Sequence, residues 1–523
     1  MKNKSSAYTR HKDESHILPE YANIPIEPQI ESNEQILLRD MGDSDDLIIR
    51  KVYYENSDRA AAAIVYIDGM ADSAIVNQYI MDVLIGNMRR IDALRREERD
   101  SRTGDPVSIA KELIVGVGSI HTVVEMGSLY VCLLSGEAVI LLDGSSQAQC
   151  ADIRQWKGRE VSESTNQTSI RGPRESFNET LRTNTSLIRR KIKNPRLWLE
   201  TIAIGTVTKT DVTLMYINGL AKQSVIDMVR QRLKAIKIDS VLDSGYIEEL
   251  IEDGKYSLFP TVYNTELPDN VASQLLEGRV AIFVDGTPNV LIAPTMMISF
   301  FQSAEDYYQR YFYSSLLRLL RFVSFAISLL FPSLYIAITT FHREMLPTSL
   351  LISLAAQREG VPFPAFVEAF AMEVTFEILR EAGLRMPRAI GQAVSVVGTL
   401  VIGQAAVEAG IVSAAMVIVV SVTAISTFTV PSYSMSIPIR ILRFAFMFAA
   451  ASFGVVGIFM GIFILLLHLC SLRSFGEPYM SPLSPYRPAG MEDSLLRLPR
   501  WLIYKRPSSS FTSGEERMRR RNG

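Results

Sequence analysis

The sequence predicts a two-part protein, an α/β N-terminal region made of two similar subdomains followed by an α-helical transmembrane domain. Three observations predict it. A strand, glycine turn and helix pattern occurs twice within the first 300 residues, and apolar runs long enough to cross a bilayer are confined to 315–470. The whole chain of 523 residues is 48% hydrophobic yet 21% charged, a pairing that one uniform soluble domain does not produce, so the apolar surplus belongs to one part.

The N-terminus, Met1 to Glu20, mixes charged and polar side chains and lacks the apolar core of a signal peptide, so the large N-terminal region is expected to stay cytoplasmic. The first subdomain, 41–153, contains Ile64-Val-Tyr-Ile-Asp-Gly-Met70, an apolar strand ending in a glycine turn, then a helical pattern over 71–91. The second, 201–300, repeats it as Leu214-Met-Tyr-Ile-Asn-Gly-Leu220 with a helical pattern over 221–236. A further echo sets Gly136-Glu-Ala-Val-Ile-Leu-Leu-Asp-Gly144 against Gly278-Arg-Val-Ala-Ile-Phe-Val-Asp-Gly286, with Asp285-Gly286-Thr287-Pro288 as a hairpin turn between strands 280–284 and 289–293. The offsets, 150 and then 142, place an eight-residue indel between the copies. Segment 154–200 is expected as a polar linker turning into a basic helix over 177–192. Its cations, Arg182, Arg189, Arg190 and Lys191 among them, suit either docking on anionic lipid or phosphate or pairing with acidic neighbours.

In the membrane domain, 315–470, four stretches approach the roughly 20 apolar residues that a helix needs to span a bilayer: 322–341, 390–407, 411–430 and 444–469. Between the first two, 345–383 holds a short apolar stretch and an acidic helix starting after Pro362-Phe363-Pro364, expected as a re-entrant or interfacial hairpin. The basic, Pro-rich tail 471–523 favours cytoplasmic ends and hence an even span count, whereas four simple spans would put Arg358, Arg380, Arg385, Arg388, Arg440 and Arg443 outside, against the positive-inside tendency. Six crossings, or four plus the hairpin, remain open, and the hairpin is preferred. Small residues at Gly391, Ser395 and Gly398, and at Gly454, Gly457 and Gly461, mark expected helix-packing faces in a tight bundle or oligomer. Glu373, Glu377 and Glu381 share a stripe about 80° wide on a helix. Carboxylates at membrane depth normally face a partner or water, so this stripe is the candidate ion pathway, and repeated around an oligomer axis it would attract monovalent cations. Arg380 can reach Glu377 or Glu373 along the same helix, and the acids can equally lie in interfacial water.

Catalytic signatures are missing from the sequence. Five scattered histidines give no HExxH, three widely spaced cysteines give no CxxC knuckle or closed disulfide framework, and there is no P-loop, nucleophile elbow or complete dinucleotide fingerprint. His121 and Glu125, four apart, are expected as a surface contact. No enzyme activity, metal or cofactor is expected, and a net charge of -2 gives no argument for nucleic acid.

Several longer stretches resemble the A subunits of GerA-type germinant receptors of endospore-forming bacteria. They include Ile170-Arg-Gly-Pro-Arg-Glu-Ser-Phe-Asn-Glu-Thr-Leu-Arg-Thr-Asn184, the run from Pro362 to Gly383 that carries the acidic stripe, and Pro478-Tyr-Met-Ser-Pro-Leu-Ser-Pro485. The resemblance implies a multi-pass protein of the spore inner membrane acting with a transporter-like B subunit and a lipoprotein C subunit. It further implies a homo-oligomer that forms a germinant-gated channel for monovalent cations, small germinants (amino acids, sugars or nucleosides) binding on the B subunit. Residues 1–40 are the variable segment of such proteins. The rival reading is a membrane-anchored scaffold or signalling subunit without a conducting pore.

Overall fold

The structure, a computed structural model, describes residues 18–54, 58–85, 119–154, 171–386 and 403–503, positions 19, 22 and 83 excepted. Gly391, Ser395 and Gly398 and most of the expected span 390–407 lie outside the described residues. The chain divides into two compact units, one made of 1–168, 173–251 and 265–292, the other of 169–172, 252–264 and 293–523.

The first unit is the internal repeat. Strands β1 (Leu47–Tyr53), β2 (Ala60–Ile67), β3 (Ile120–Val123), β4 (Ala138–Leu142) and β5 (Ala148–Ala151) form a sheet in the order β1-β2-β4-β5-β3. Strands β6 (Leu197–Ile204), β7 (Thr210–Ile217), β8 (Tyr263–Thr265), β9 (Val280–Val284) and β10 (Val290–Ala293) form a second in the order β6-β7-β9-β10-β8. The two orders are the same, and β1–β2 and β6–β7 share a register as far as Val52, where a bulge shifts β1 by one residue. Leu47 opposes Ile67 as Leu197 opposes Ile217, and Ala62 opposes Leu142 as Val212 opposes Val284. The offsets of 150 and 142 seen in the sequence are therefore offsets between superposable strands.

Strand alternation explains why β2 is buried throughout. Side chains point to opposite faces in turn, so Ala63, Val65 and Ile67 join one apolar cluster and Ala62, Ile64 and Tyr66 another. The first face is covered by helices Ile30–Met41 and Met126–Leu133, through Ile30, Leu37, Met41, Leu129 and Leu133. Val76, Ile80 and Leu84 cover the second. Each fully buried Val, Ile or Leu contributes about 1.5–3 kcal/mol, so a sheet covered on both faces is the main source of stability here.

Segment 154–200 is more than a linker. Its second half supplies helix Leu181–Lys191, which holds in the second subdomain the place of Ile30–Met41 in the first. The Asn33 side chain receives the Glu27 amide, the Asn184 side chain receives the Asn178 amide, and Gly144 N–H donates to Pro28 O as Gly286 N–H donates to Glu179 O. The cations of this helix are largely absorbed within the unit. Arg189 is fully buried and makes a two-pronged contact with Asp46, 2.8 and 2.9 Å, while Arg190 and Lys191 lie near Glu175. Pairing with acidic neighbours is the reading the geometry supports. Gly42, at φ 67°, ends the first helix against the Trp198 indole, whose Nε1 donates to Asp40 O at 3.1 Å.

The second unit is helical, with helices Tyr311–Thr340, Thr348–Glu359, Ala365–Arg385, Gly403–Glu408, Ala414–Thr427 and Tyr433–Ser471. Two of them, Tyr311–Thr340 and Tyr433–Ser471, are long and apolar enough to cross a membrane by length and composition. The expected span 411–430 contains the shorter helix Ala414–Thr427. The expected span 444–469 is interrupted, because Gly454 has φ 61° and ψ -142°, outside helical values. A Cβ at Gly461 would meet the Phe446 ring at 2.6 Å, and one at Gly457 would meet the Ala449 carbonyl. In a straight helix, residues 15 apart sit about 22 Å apart, so the chain doubles back at Gly454 into two packed arms. The outer face of the second arm exposes Phe459, Phe463, Ile464 and Leu467, a surface suited to lipid. The tail, too, is folded as far as residue 503. A small hairpin, β11 (Arg473–Ser474) with β12 (Glu477–Pro478), precedes fully buried Tyr479, and Asp493 accepts from Arg318 at 2.8 Å.

Candidate functional site

The acidic helix Ala365–Arg385 starts where Pro364 cannot continue a helix backward, and it carries Glu368, Glu373, Glu377 and Glu381. None of the four carboxylates is bare. Glu381 is exposed and accepts from Arg385 at 2.7 Å, one turn on. Glu377 is half-buried, accepting from Arg440 at 3.1 Å with Arg380 at 3.9 Å. Glu373 is fully enclosed and accepts from Arg443 at 2.6 Å, the two side chains 1% and 2% exposed. Glu368, on the opposite side of the helix, is also buried, and its Oε1 accepts from both the amide and the hydroxyl of Ser413. Ser413 is the N-cap of helix Ala414–Thr427, where the helix dipole favours a negative charge.

Arg443 is the centre of this arrangement. Pro332 lies inside helix Tyr311–Thr340 and has no N–H, which removes the helical donor to the carbonyl of Ser328, four residues earlier. Arg443 Nε fills that vacancy at 2.7 Å, while its other nitrogens donate to Glu373 Oε2 at 2.6 Å and to Thr427 Oγ1 at 2.9 Å. One guanidinium thus bonds to three helices from a fourth, the first arm of Tyr433–Ser471. Its planar fork of donors is suited to such a node, and a lysine could not reproduce it. Glu373 Oε1 has no hydrogen-bond partner among the described residues. Nearby, Arg380 stacks over the Phe428 and Tyr433 rings, 5.6 and 6.0 Å from their centroids.

The structure therefore brings Glu373 and Glu377 into one polar cluster and leaves Glu381 at its exposed edge. Gly457 and Gly461 lie at a contact inside the chain, between the two arms. Sequence reasoning missed Arg440, Arg443, Glu368 and Ser413. The available signal was the i, i+3 spacing of Arg440 and Arg443 against the i, i+4 spacing of Glu373 and Glu377, one turn on each helix. Around Arg443 the described residues offer no His/Cys/Asp/Glu group for a metal ion; the described group that does is His121, Cys132, Glu137 and Cys150 in the first subdomain, where His121 approaches Glu137 at 3.4 Å, a neighbour the spacing to Glu125 did not indicate.

A family model described as "Bacillus/Clostridium GerA spore germination protein" matches residues 35–509. Spore germination protein KA of Bacillus subtilis (strain 168) is 47% identical over 94% of this chain and 88% of its own. Spore germination protein A1 of the same organism is 40% identical over 90% of this chain and 94% of its own. Among solved structures, the N-terminal domain of the A subunit of the Bacillus megaterium spore germinant receptor GerK3 is 38% identical, with a TM-score of 0.40, covering 52% of this chain and 97% of that one.

Proposed function

The chain belongs to the GerA family of Bacillus/Clostridium spore germination proteins, and from that premise we propose that it is the membrane-embedded A subunit of a germinant receptor whose helical unit gates cation release. In this reading it is a homo-oligomer in the spore inner membrane that works with a transporter-like B subunit and a lipoprotein C subunit. The observation that carries the reading is the Arg443 node. A buried charge bonded to three neighbouring helices is expensive to place in an apolar environment, and it gives those helices one joint arrangement rather than a continuum. At rest Glu373 and Glu377 are neutralised by Arg443 and Arg440, so the acidic stripe presents little net charge to a permeating ion. Parting the helices would separate these pairs and expose the carboxylates, which is the change a cation gate requires.

The scaffold reading draws on the same pairing, since matched charges need not line a pore. Vesicles loaded with potassium and containing this chain with its B-type and C-type partners separate the two. Efflux on adding the cognate amino acid, sugar or nucleoside is the expected result. A receptor that binds germinant but passes no potassium overturns the channel reading and leaves the scaffold.

A further inference from the structure

In the first subdomain four side chains with metal-ligating atoms converge from separate elements. His121 on β3 and Cys150 on β5 are directly opposed in the antiparallel ladder. Cys132 lies in the last turn of helix Met126–Leu133, and the Glu137 amide donates to the Cys132 carbonyl at 3.1 Å, so the turn into β4 folds Glu137 back over the same spot. One ligand atom from each of the four lies within 4.8 Å of all the others. His121 Nε2 is 3.2 Å from Cys132 Sγ and 3.4 Å from Glu137 Oε2. With metal–sulfur bonds of about 2.3 Å and metal–nitrogen or metal–oxygen bonds of about 2.0–2.2 Å, the edges of a tetrahedral zinc site come to about 3.3–3.8 Å. We propose that His121, Cys132, Glu137 and Cys150 form a closed tetrahedral site for Zn2+ or a divalent ion of similar size and softness.

Two further observations support the site. Glu137 is 5% exposed, and its Oε1 accepts from Arg154 at 2.7 Å while Oε2, turned toward His121, has no hydrogen-bond donor in bonding geometry. A dication with two thiolates and one carboxylate sums to -1, and the Arg154 guanidinium brings the cluster to neutrality, with Arg154 orienting the carboxylate as outer-shell partners do. The second subdomain acts as an internal control. At the offset of 142, the four positions are Tyr263, Gln274, Arg279 and Ile292, which carry no ligand set on the same scaffold. The fold does not require these residue types, so their convergence in one copy points to a ligand. Four protein ligands leave no open position, which assigns the ion a structural role, pinning β3, β5, the helix and the turn into β4 to one another.

The test uses the full chain purified in detergent under reducing conditions, stripped with a chelator and titrated with Co2+. One equivalent should bind with the visible absorption of tetrahedral cobalt and the near-ultraviolet band of cobalt–thiolate charge transfer, and Zn2+ should displace it. Cys470→Ser should leave the spectrum intact, since Cys470 is exposed and far along the chain in the other unit. Cys132→Ser or Cys150→Ser should abolish most of the charge-transfer band, and Glu137→Gln, the mildest change, should weaken binding about tenfold or more. Cobalt bound without the thiolate band in the wild-type chain, or a band that survives in the Cys132→Ser, Cys150→Ser double variant, overturns the site. The wild-type spectrum decides even where a variant does not fold, and it reads metal binding independently of germination or ion flux.

Discussion

At the scale of single residues, the account rests on charges that are buried but paired. Arg443→Gln leaves Glu373 enclosed without its counter-charge and Ser328 O without its donor; the cost is about 3–5 kcal/mol. Glu373→Gln added to Arg443→Gln should recover a large part of that loss, seen as a higher Tm in detergent for the double variant than for Arg443→Gln alone. A double variant no more stable than the single one would mean the two residues do not interact. In the first unit, Arg189→Met should likewise lower stability by about 3–5 kcal/mol, because Asp46 is 1% exposed and loses its two-pronged partner. Unfolding of the full chain followed by circular dichroism checks it. Glu200 supplies a pH dependence. Burial alone would raise its pKa, but hydrogen bonds from Arg230 and Tyr216 hold the carboxyl below its ordinary range. A depressed pKa gives stability that is complete above the unfolded value of about 4.3 and lost as pH falls through the folded one. Arg230→Met should therefore reduce the part of the Tm drop that sets in below about pH 4.3. These partners were hidden in the sequence, because Arg443 and Glu373 are 70 positions apart and Arg189 and Asp46 are 143 apart. No local period connects them. Arg358, Arg380, Arg440 and Arg443 had looked like a topology signal, yet each lies beside a carboxylate or an aromatic ring. A charge engaged inside the protein says little about which side of a membrane it marks.

At the scale of elements, what could be read depended on whether the signal was periodic. Strands β2, β4, β7, β9 and β10 were legible as short apolar runs beside glycine turns, whereas β1, β3, β6 and β8 were not, and the repeat was legible because its apolar cores recur at fixed offsets. Helix Leu181–Lys191 was visible as a helix but not as the first element of the second copy, since its counterpart Ile30–Met41 fell almost wholly in the segment 1–40, read only as variable. The break at Gly454 was hidden for a different reason. Composition over 444–469 is uniformly apolar, and a single positive-φ residue leaves no trace in hydropathy. Gly454→Ala should cost about 1–3 kcal/mol through backbone strain, beyond the close approach of its Cβ to His342 Cε1 at 2.9 Å. Gly457→Leu should do more, prying the two arms apart. Both should lower Tm in detergent, whereas Phe459→Leu on the exposed outer face should not. Normal melting of Gly457→Leu would mean that the arms do not pack as described.

At the scale of the whole molecule, the two-part plan followed from the uneven placement of apolar residues, and the β-rich unit and the helical unit are both present. The functional site was half legible. Glu373 and Glu377 stood out as carboxylates among apolar residues, while Arg440 and Arg443 fell just before the expected span 444–469 and were read as a topology signal. Glu373 and Glu377 are each paired with an arginine, and under the proposed gating this changes the expected effect of mutation. Removing a lining charge would slow cation movement, whereas removing one member of a latch should loosen the closed state. Potassium efflux from vesicles containing the complete receptor decides between them, measured before and after germinant for the wild-type chain, for Arg443→Gln, and for the swap Glu373→Arg with Arg443→Glu. The account predicts low efflux before germinant in the wild type, raised efflux before germinant in Arg443→Gln, and a return toward low resting efflux with germinant response in the swap. Resting efflux and germinant response identical to wild type in a stably assembled Arg443→Gln receptor would contradict it.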